Sequence, residues 1–201
     1  MKRLIILVVT FFLSVLPSAA QQQPPRQVKD QILTSTSLPP IRIKFADEFK
    51  HVGTLQFVLY DRAQVEQHFF VDADNEKRIK RMYWVQFEGY LPGVNAKYDY
   101  PANETVTLAG QTYLVNAESV PNMPEVVKRM PQSDVERAIK FLETKGYSMG
   151  PSIRYERFVR LVDEAKRNEM ILTYIEDAGA STENAGKELL TRAQKGFTIL
   201  E

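Results

Sequence analysis

A period of two in the hydrophobic pattern dominates the first half of the chain. Between Ile41 and Ala117, apolar and polar residues alternate, and many apolar positions hold β-branched or aromatic side chains. Because alternate residues of a strand point to opposite faces, this pattern predicts half-buried β-strands. The predicted strands cover residues 41–45, 54–60, 64–72, 79–90, 104–109 and 111–117.

The segments that separate these strands are short and rich in turn-forming residues. Residues 72–75 are Asp-Ala-Asp-Asn, residues 91–93 are Leu-Pro-Gly, and residues 109–110 are Ala-Gly. Such sequences form tight turns between neighbouring antiparallel strands. The first half of the chain therefore predicts an antiparallel β-meander.

The period changes to that of a helix after Pro121. Ser133 and Glu136 form a capping box, apolar residues follow at helical spacing, and Gly146 ends the pattern. This predicts a helix between Ser133 and Lys145.

Three further elements are predicted in the C-terminal part of the chain. A second helix is expected from Ser152 to Asn168. Residues 170–175 are apolar on both faces and predict a strand inside the sheet, and a last helix is expected from Thr182 to Lys195. The apolar face of the second helix would consist of Tyr155, Phe158, Val159 and Val162.

The order of these elements predicts an α+β fold. We expect an antiparallel β-meander sheet of about six to seven strands with helices packed on one face, and a C-terminal order of helix, helix, strand and helix. The alternative is a closed barrel of the lipocalin type, in which a β-meander also precedes a helix and a strand. The Gly-x-Trp signature of that barrel is absent near the first predicted strand.

The N-terminal residues predict export. Met1, Lys2 and Arg3 form a short basic region, residues 4–16 are mostly apolar, and small residues lead to Ala20. This pattern is typical of a signal peptide at residues 1–20, cleaved after Ala20. The apolar run is shorter than the roughly 20 residues that cross a bilayer, so we expect a secreted or periplasmic protein with no membrane span after cleavage.

The chain that would follow a signal peptide divides into two parts. Residues 21–40 are rich in Gln, Pro and Ser and have few apolar side chains, which predicts a flexible arm. Residues 41–201 contain no repeat and no second change of composition. We expect them to form a single globular domain.

Charge and cysteine content exclude several classes of function. The chain has 26 basic and 25 acidic residues, whereas nucleic-acid-binding proteins need clustered basic residues, so no nucleic-acid partner is expected. The chain contains no cysteine, which excludes a disulfide, a thiolate nucleophile and a cysteine-ligated metal. The fold must therefore depend on its hydrophobic core.

Motifs for catalysis, metals and cofactors lack their required context. Residues 146–150 match G-x-S-x-G, but a nucleophile elbow needs a preceding strand and a later histidine, and both histidines, His51 and His68, lie upstream. The histidines lack the spacing of a zinc site, and the acids of residues 72–76 lack the spacing of an EF-hand. Walker and dinucleotide-binding motifs do not occur. We expect no metal and no cofactor.

One cluster of polar and aromatic residues remains as a candidate site. Alternation puts Glu66 and His68 on one face of the strand predicted at residues 64–72. Small-molecule pockets are mostly apolar with a few placed polar groups, and one face of the next strand has this composition. His68 joins that face if the register lets the two faces coincide. The face consists of Met82, Trp84, Gln86, Glu88 and Tyr90.

This cluster supports two functional hypotheses. In the first, an apolar or amphipathic small molecule binds between sheet and helices, with the apolar members of the cluster as walls and its polar members and His68 as orienting groups. In the second, His68 acts as an acid–base catalyst with Glu66 or Glu88.

Two alternatives do not involve a pocket. In one, the aromatic side chains only stabilise the sheet and the polar ones face water. In the other, the protein is an adaptor that binds a protein partner through the N-terminal arm or a sheet edge.

Overall fold

The computed structural model describes residues 25–101, 104–179 and 187–200, and the predicted signal peptide lies outside them. The α+β class and the antiparallel sheet are confirmed. In the described part, the strands are β1 (Arg26–Lys29), β2 (Ile32–Ser35), β3 (Ile41–Phe45), β4 (Lys50–Leu59), β5 (Ala63–Ala73), β6 (Arg78–Tyr90), β7 (Glu104–Leu108), β8 (Gln111–Val120), β9 (Ser148–Met149), β10 (Ile153–Leu161), β11 (Asn168–Asp177) and β12 (Phe197–Leu200). The helices are α1 (Met123–Arg129), α2 (Asp134–Thr144) and α3 (Lys187–Lys195).

The larger of two sheets has eight strands and is built from two meanders. Strands β4, β5 and β6 form one meander, and β7, β8, β10 and β11 form the other. The meanders join where β11 pairs with β6, so β11 lies inside the sheet, as its apolar sequence predicts. The described strands do not close into a barrel, because β4 and β7 end the sheet.

The two faces of this sheet are covered by different layers. Helices α1 and α2 pack on the face that includes Met82, Trp84 and Ile175, which we call the helical face. The smaller sheet, in the order β1-β2-β3-β12, packs with α3 on the opposite face, which includes Tyr83 and Phe158 and which we call the packed face. The prediction that all helices share one face is therefore wrong for α3.

The prediction of a helix from Ser152 to Asn168 is also wrong. Residues Ile153–Leu161 form β10, which pairs with β8 on one side and β11 on the other. The layers packed on the two faces of the sheet bury residues on both faces of β10, so its apolar residues follow no strict alternation and happen to fit a helical spacing. Tyr155 consequently lies on the helical face and Phe158 on the packed face.

The flexible arm predicted at residues 21–40 is wrong for residues 26–35. They form the β1–β2 hairpin, and β2 pairs with β3. Leu33 is fully buried in the core, and Val28 packs against it. One alternating apolar segment therefore anchors a stretch whose overall composition is polar. The last helix is described from Lys187, and the earlier part of that prediction lies outside the described residues.

Candidate functional site

A cavity of about 400 Å³ separates the helical face of the large sheet from α1 and α2. Most of its walls are apolar. Met130, which follows the last residue of α1, lies at the rim and is 46% exposed. The sheet contributes Met82, Trp84, Gln86, Glu118, Val120, Met149, Ile153, Tyr155, Arg157, Ile171, Thr173 and Ile175, and the helical layer contributes Met123, Val126, Met130, Asp134, Val135, Ala138 and Ile139.

The strand register sets the floor of this cavity. Trp84 of β6 pairs with Thr173 of β11, and Thr173 pairs with Arg157 of β10. Directly paired residues of antiparallel strands point to the same face, so these side chains form one row across three strands. Asn116 of β8 pairs with Arg157 and continues the row.

Three polar atoms of this row have no hydrogen-bond partner in the described part of the chain. They are Nε1 of Trp84, Nε of Arg157 and Oδ1 of Asn116, and all three atoms are buried. Buried polar atoms in folded proteins are nearly always paired, so an unpaired group requires an explanation. Trp84 and Arg157 line the cavity, whereas Asn116 lies beside Arg157 and outside the cavity lining, so two of the three unpaired atoms belong to residues beside a space that a polar ligand group can occupy.

A hydrogen-bonded network borders one end of the cavity. Gln67 donates to Gln86 at 2.9 Å, and Gln86 donates to Glu88 at 2.7 Å and to the Asp134 carboxylate at 3.4 Å. Tyr98 donates to the other oxygen of Glu88 at 2.9 Å. The network fixes the Gln86 amide at the cavity wall.

Two acidic side chains lie side by side next to this network. Glu88 of β6 pairs in register with Glu169 of β11, and Tyr100 donates to Glu169 at 2.6 Å. Burial raises the pKa of Glu88, and the Asp134 charge raises it further. Burial, with a further contribution from Glu88, raises the pKa of Glu169 to about 7. Glu169 therefore exchanges a proton near neutral pH.

The structure brings some of the predicted site residues together and separates others. Met82, Trp84 and Gln86 line the cavity between sheet and helices, where a pocket was expected. Glu88 contacts this group through Gln86 but lines a second, more open pocket of about 550 Å³ together with Tyr90. Tyr90 stacks on Tyr98 there, with ring centroids 4.5 Å apart.

His68 and Glu66 do not join the Trp84 group. His68 pairs with Val85 and Glu66 pairs with Phe87, and both partners lie on the packed face. The hypothesis that His68 orients a ligand beside Trp84 is therefore wrong, because the register places them on opposite faces. The same register places His68 and Glu88 on opposite faces of the sheet.

His68 and Glu66 form a buried network of their own. His68 Nε2 lies 2.8 Å from Glu66, His68 Nδ1 lies 3.0 Å from the Thr54 hydroxyl, and Arg26 donates to Glu66 at 3.2 Å. Only 1% of His68 is exposed, and it lines neither of the two pockets described above. Arg26 belongs to β1, so the network joins the N-terminal hairpin to the large sheet.

Sequence reasoning missed the polar half of the cavity floor. Arg157 and Thr173 become neighbours of Trp84 only through the pairing of β10 with β11 and of β11 with β6. Because residues 152–168 were predicted to form a helix, Arg157 was not expected in the sheet. Arg154, Arg157 and Arg160 are spaced three residues apart, and this spacing fits either a helix or a strand.

The described residues contain no group of His, Asp and Glu side chains arranged to hold a metal ion. In the same residues, every helix is too short or too polar to cross a membrane. No protein-family model matches the chain, and no curated protein or solved structure is significantly similar to it.

Proposed function

We propose that this protein binds a small amphipathic molecule in the cavity between the large sheet and helices α1 and α2. The observation that carries the proposal is a mostly apolar cavity lining that includes two side chains with unpaired buried nitrogen atoms, Trp84 and Arg157. An empty apolar cavity needs no polar groups, and a purely structural wall would pair them. A ligand with an apolar body and one polar end satisfies both parts of the lining.

The size and composition of the cavity fit this function. Small-molecule sites commonly have volumes of about 300–1,000 Å³ and apolar walls with a few polar groups that set orientation. Met82 and Ile175 on the floor face Val135 and Ala138 of α2 across the cavity. Each apolar group that a ligand buries against these walls contributes roughly 25 cal/mol per Å².

The N-terminal sequence supports a location for this activity. We propose that the protein is exported, because residues 1–20 have the basic, apolar and small-residue segments of a signal peptide. A secreted or periplasmic binding module would meet ligands outside the cytoplasm. Comparison of the N-terminal residue of the protein purified from its host with Gln21 tests this part of the proposal.

The single tryptophan provides a direct test of binding. Trp84 is the only tryptophan of the chain and lines the cavity, so ligand entry should change its fluorescence. We expect saturable changes with one site per chain when amphipathic probes such as decanoate are titrated below their critical micelle concentrations. Isothermal titration calorimetry should give the same stoichiometry.

A cavity-filling substitution and its control localise the binding. Ala138 lines the cavity and Lys140 on the same helix is exposed. We expect Ala138→Leu to lower probe affinity at least tenfold and Lys140→Leu to leave it unchanged, with both variants folded by circular dichroism. Equal affinity of wild type and Ala138→Leu would contradict binding in this cavity.

A further inference from the structure

Among the described residues that line the cavity, Arg157 is the only one with a basic side chain. Its guanidinium carbon lies 5.9 Å from the centre of the Tyr100 ring. None of the ion pairs in the described part of the chain includes Arg157. The Arg157 charge acts through space on Glu169, where it partly offsets the rise in the pKa of that carboxyl that burial causes, but none of the described carboxylates lies within ion-pair distance of the half-buried guanidinium, so an anion in the cavity gains a direct partner there.

The chemistry of the unpaired atoms indicates which class of ligand head group would bind beside them. The Trp84 indole nitrogen and Arg157 Nε are both donors that cannot accept a hydrogen bond. Thr173 lies between them in the row and adds a hydroxyl group. Two fixed donors, one of them permanently charged, complement an acceptor group with negative charge.

From these observations we infer that the cavity selects amphipathic ligands with an anionic head group, which Arg157 and Trp84 bind while the apolar tail extends towards Ile153. This inference rests on the function proposed above and assigns its ligand class. Along β10, the floor runs from Arg157 through Tyr155 to Ile153. At about 3.3 Å per residue, these four steps span roughly 13 Å, which suits a medium-length hydrocarbon chain.

Glu118 and Asp134 also line the cavity, and Glu169 interacts with Arg157 through space, but none of these three carboxylates forms an ion pair with Arg157. Glu118 lies at the exposed edge of the cavity beside Tyr155. Asp134 accepts from its own helix at Val135 and from Gln86. Glu169 is held by Tyr100, and burial raises its pKa to about 7, which lowers its average negative charge near neutrality.

Three probes that differ only in their head group test the inference. Decanoate, decanol and decyltrimethylammonium carry the same tail with a negative, neutral and positive head. By calorimetry at one near-neutral pH, we expect decanoate to bind about ten- to a hundredfold more tightly than decanol, which is the range for a charge-assisted hydrogen bond. Decyltrimethylammonium should bind most weakly of the three.

Variants of Arg157 assign the preference to this residue. We expect Arg157→Gln to lower decanoate affinity by at least tenfold and to leave decanol affinity unchanged. Arg157→Lys keeps the charge without the planar group and should retain part of the preference. Arg160→Gln is the matched control, because Arg160 lies on the same strand with its side chain towards the opposite face. If Arg157→Gln fails to fold, the Arg157→Lys variant and the wild-type probe series still test whether the cavity prefers an anionic head group.

The outcomes separate this inference from the proposed function. Equal binding of decanoate and decanol, or preference for the cationic probe, would overturn the anion inference while binding in the cavity stands. A decanoate preference that survives in Arg157→Gln would also overturn it. Failure of all three probes to bind would overturn both proposals.

Discussion

The two faces of the eight-stranded sheet are packed in different ways. On the packed face, Tyr83 is fully buried among Phe45, Phe49, Tyr174 and Phe197, with ring centroids 4.7–5.8 Å apart. A Cβ atom added at Gly196 would lie only 2.8 Å from the Tyr83 ring. On the helical face, the neighbouring residue Trp84 borders a cavity of about 400 Å³.

This difference follows from what covers each face. The packed face meets a second sheet and α3, and the buried Tyr83 hydroxyl finds a partner in the Ala193 carbonyl. The helical face meets α1 and α2, and Trp84 and Arg157 on this face line the cavity. Well-packed cores contain few voids larger than a water molecule. The packed face is therefore filled by side chains, whereas the helical face leaves a cavity beneath its helices.

The largest predicted effect compares two adjacent residues of β6. Tyr83→Ala should destabilise the protein by about 3–5 kcal/mol, because it leaves a new cavity in a filled core. Trp84→Ala should cost less, about 2 kcal/mol, because it enlarges a cavity that already exists. Urea unfolding followed by far-UV circular dichroism measures both. Equal losses would show that the two faces do not differ in packing.

The next prediction concerns buried carboxylates, one on each face. Burial raises the pKa of Glu169 on the helical face to about 7, and burial with the Glu104 charge raises that of Glu156 on the packed face to about 7. A raised folded pKa means that the native state binds more protons between the ordinary value near 4.5 and 7, so stability falls as pH rises through this window. The loss is complete above pH 7.

The glutamine variants test this dependence. Glu169→Gln and Glu156→Gln should each remove up to about 3 kcal/mol of the loss of stability between pH 5 and pH 8. Glu143→Gln on the exposed side of α2 is the control and should leave the slope unchanged. Free energies of unfolding measured at several pH values give the slopes. If only Glu156→Gln changes the slope, Glu169 is solvated by the cavity.

Much of the fold can be predicted from local sequence. Strands β3 to β8 form where the alternation of the sequence predicts strands. At the start of α2, the Glu136 N–H donates a hydrogen bond to the Ser133 side-chain oxygen, as the capping box predicts. The short elements α1, β9 and β12 were not predicted, because two to seven residues carry too little periodicity. Strand β10 was misassigned, because burial on both faces removes alternation.

The candidate site could be predicted only in part. The mixture of Met82, Trp84 and Gln86 on one face is local information, and these three residues do line the cavity. The position of His68 relative to Trp84 depends on the register of β5 against β6, which the sequence left open. The position of Arg157 in the same row as Trp84 depends on two strand pairings between distant segments. Long-range pairing therefore decided the polar half of the site.

The smallest predicted effect compares two buried alanines that lie on helices covering the two faces. Ala193 of α3 is fully buried against the core of the packed face, whereas Ala138 of α2 lines the cavity. Ala193→Leu should destabilise the protein by about 1–3 kcal/mol through overpacking, whereas Ala138→Leu should change stability by less than about 0.5 kcal/mol. Thermal unfolding of both variants without added probe measures the difference. Because the added side chain is the same, a large loss in Ala138→Leu would show that the helical layer closes the cavity in solution, and it would remove the space that the proposed ligand requires.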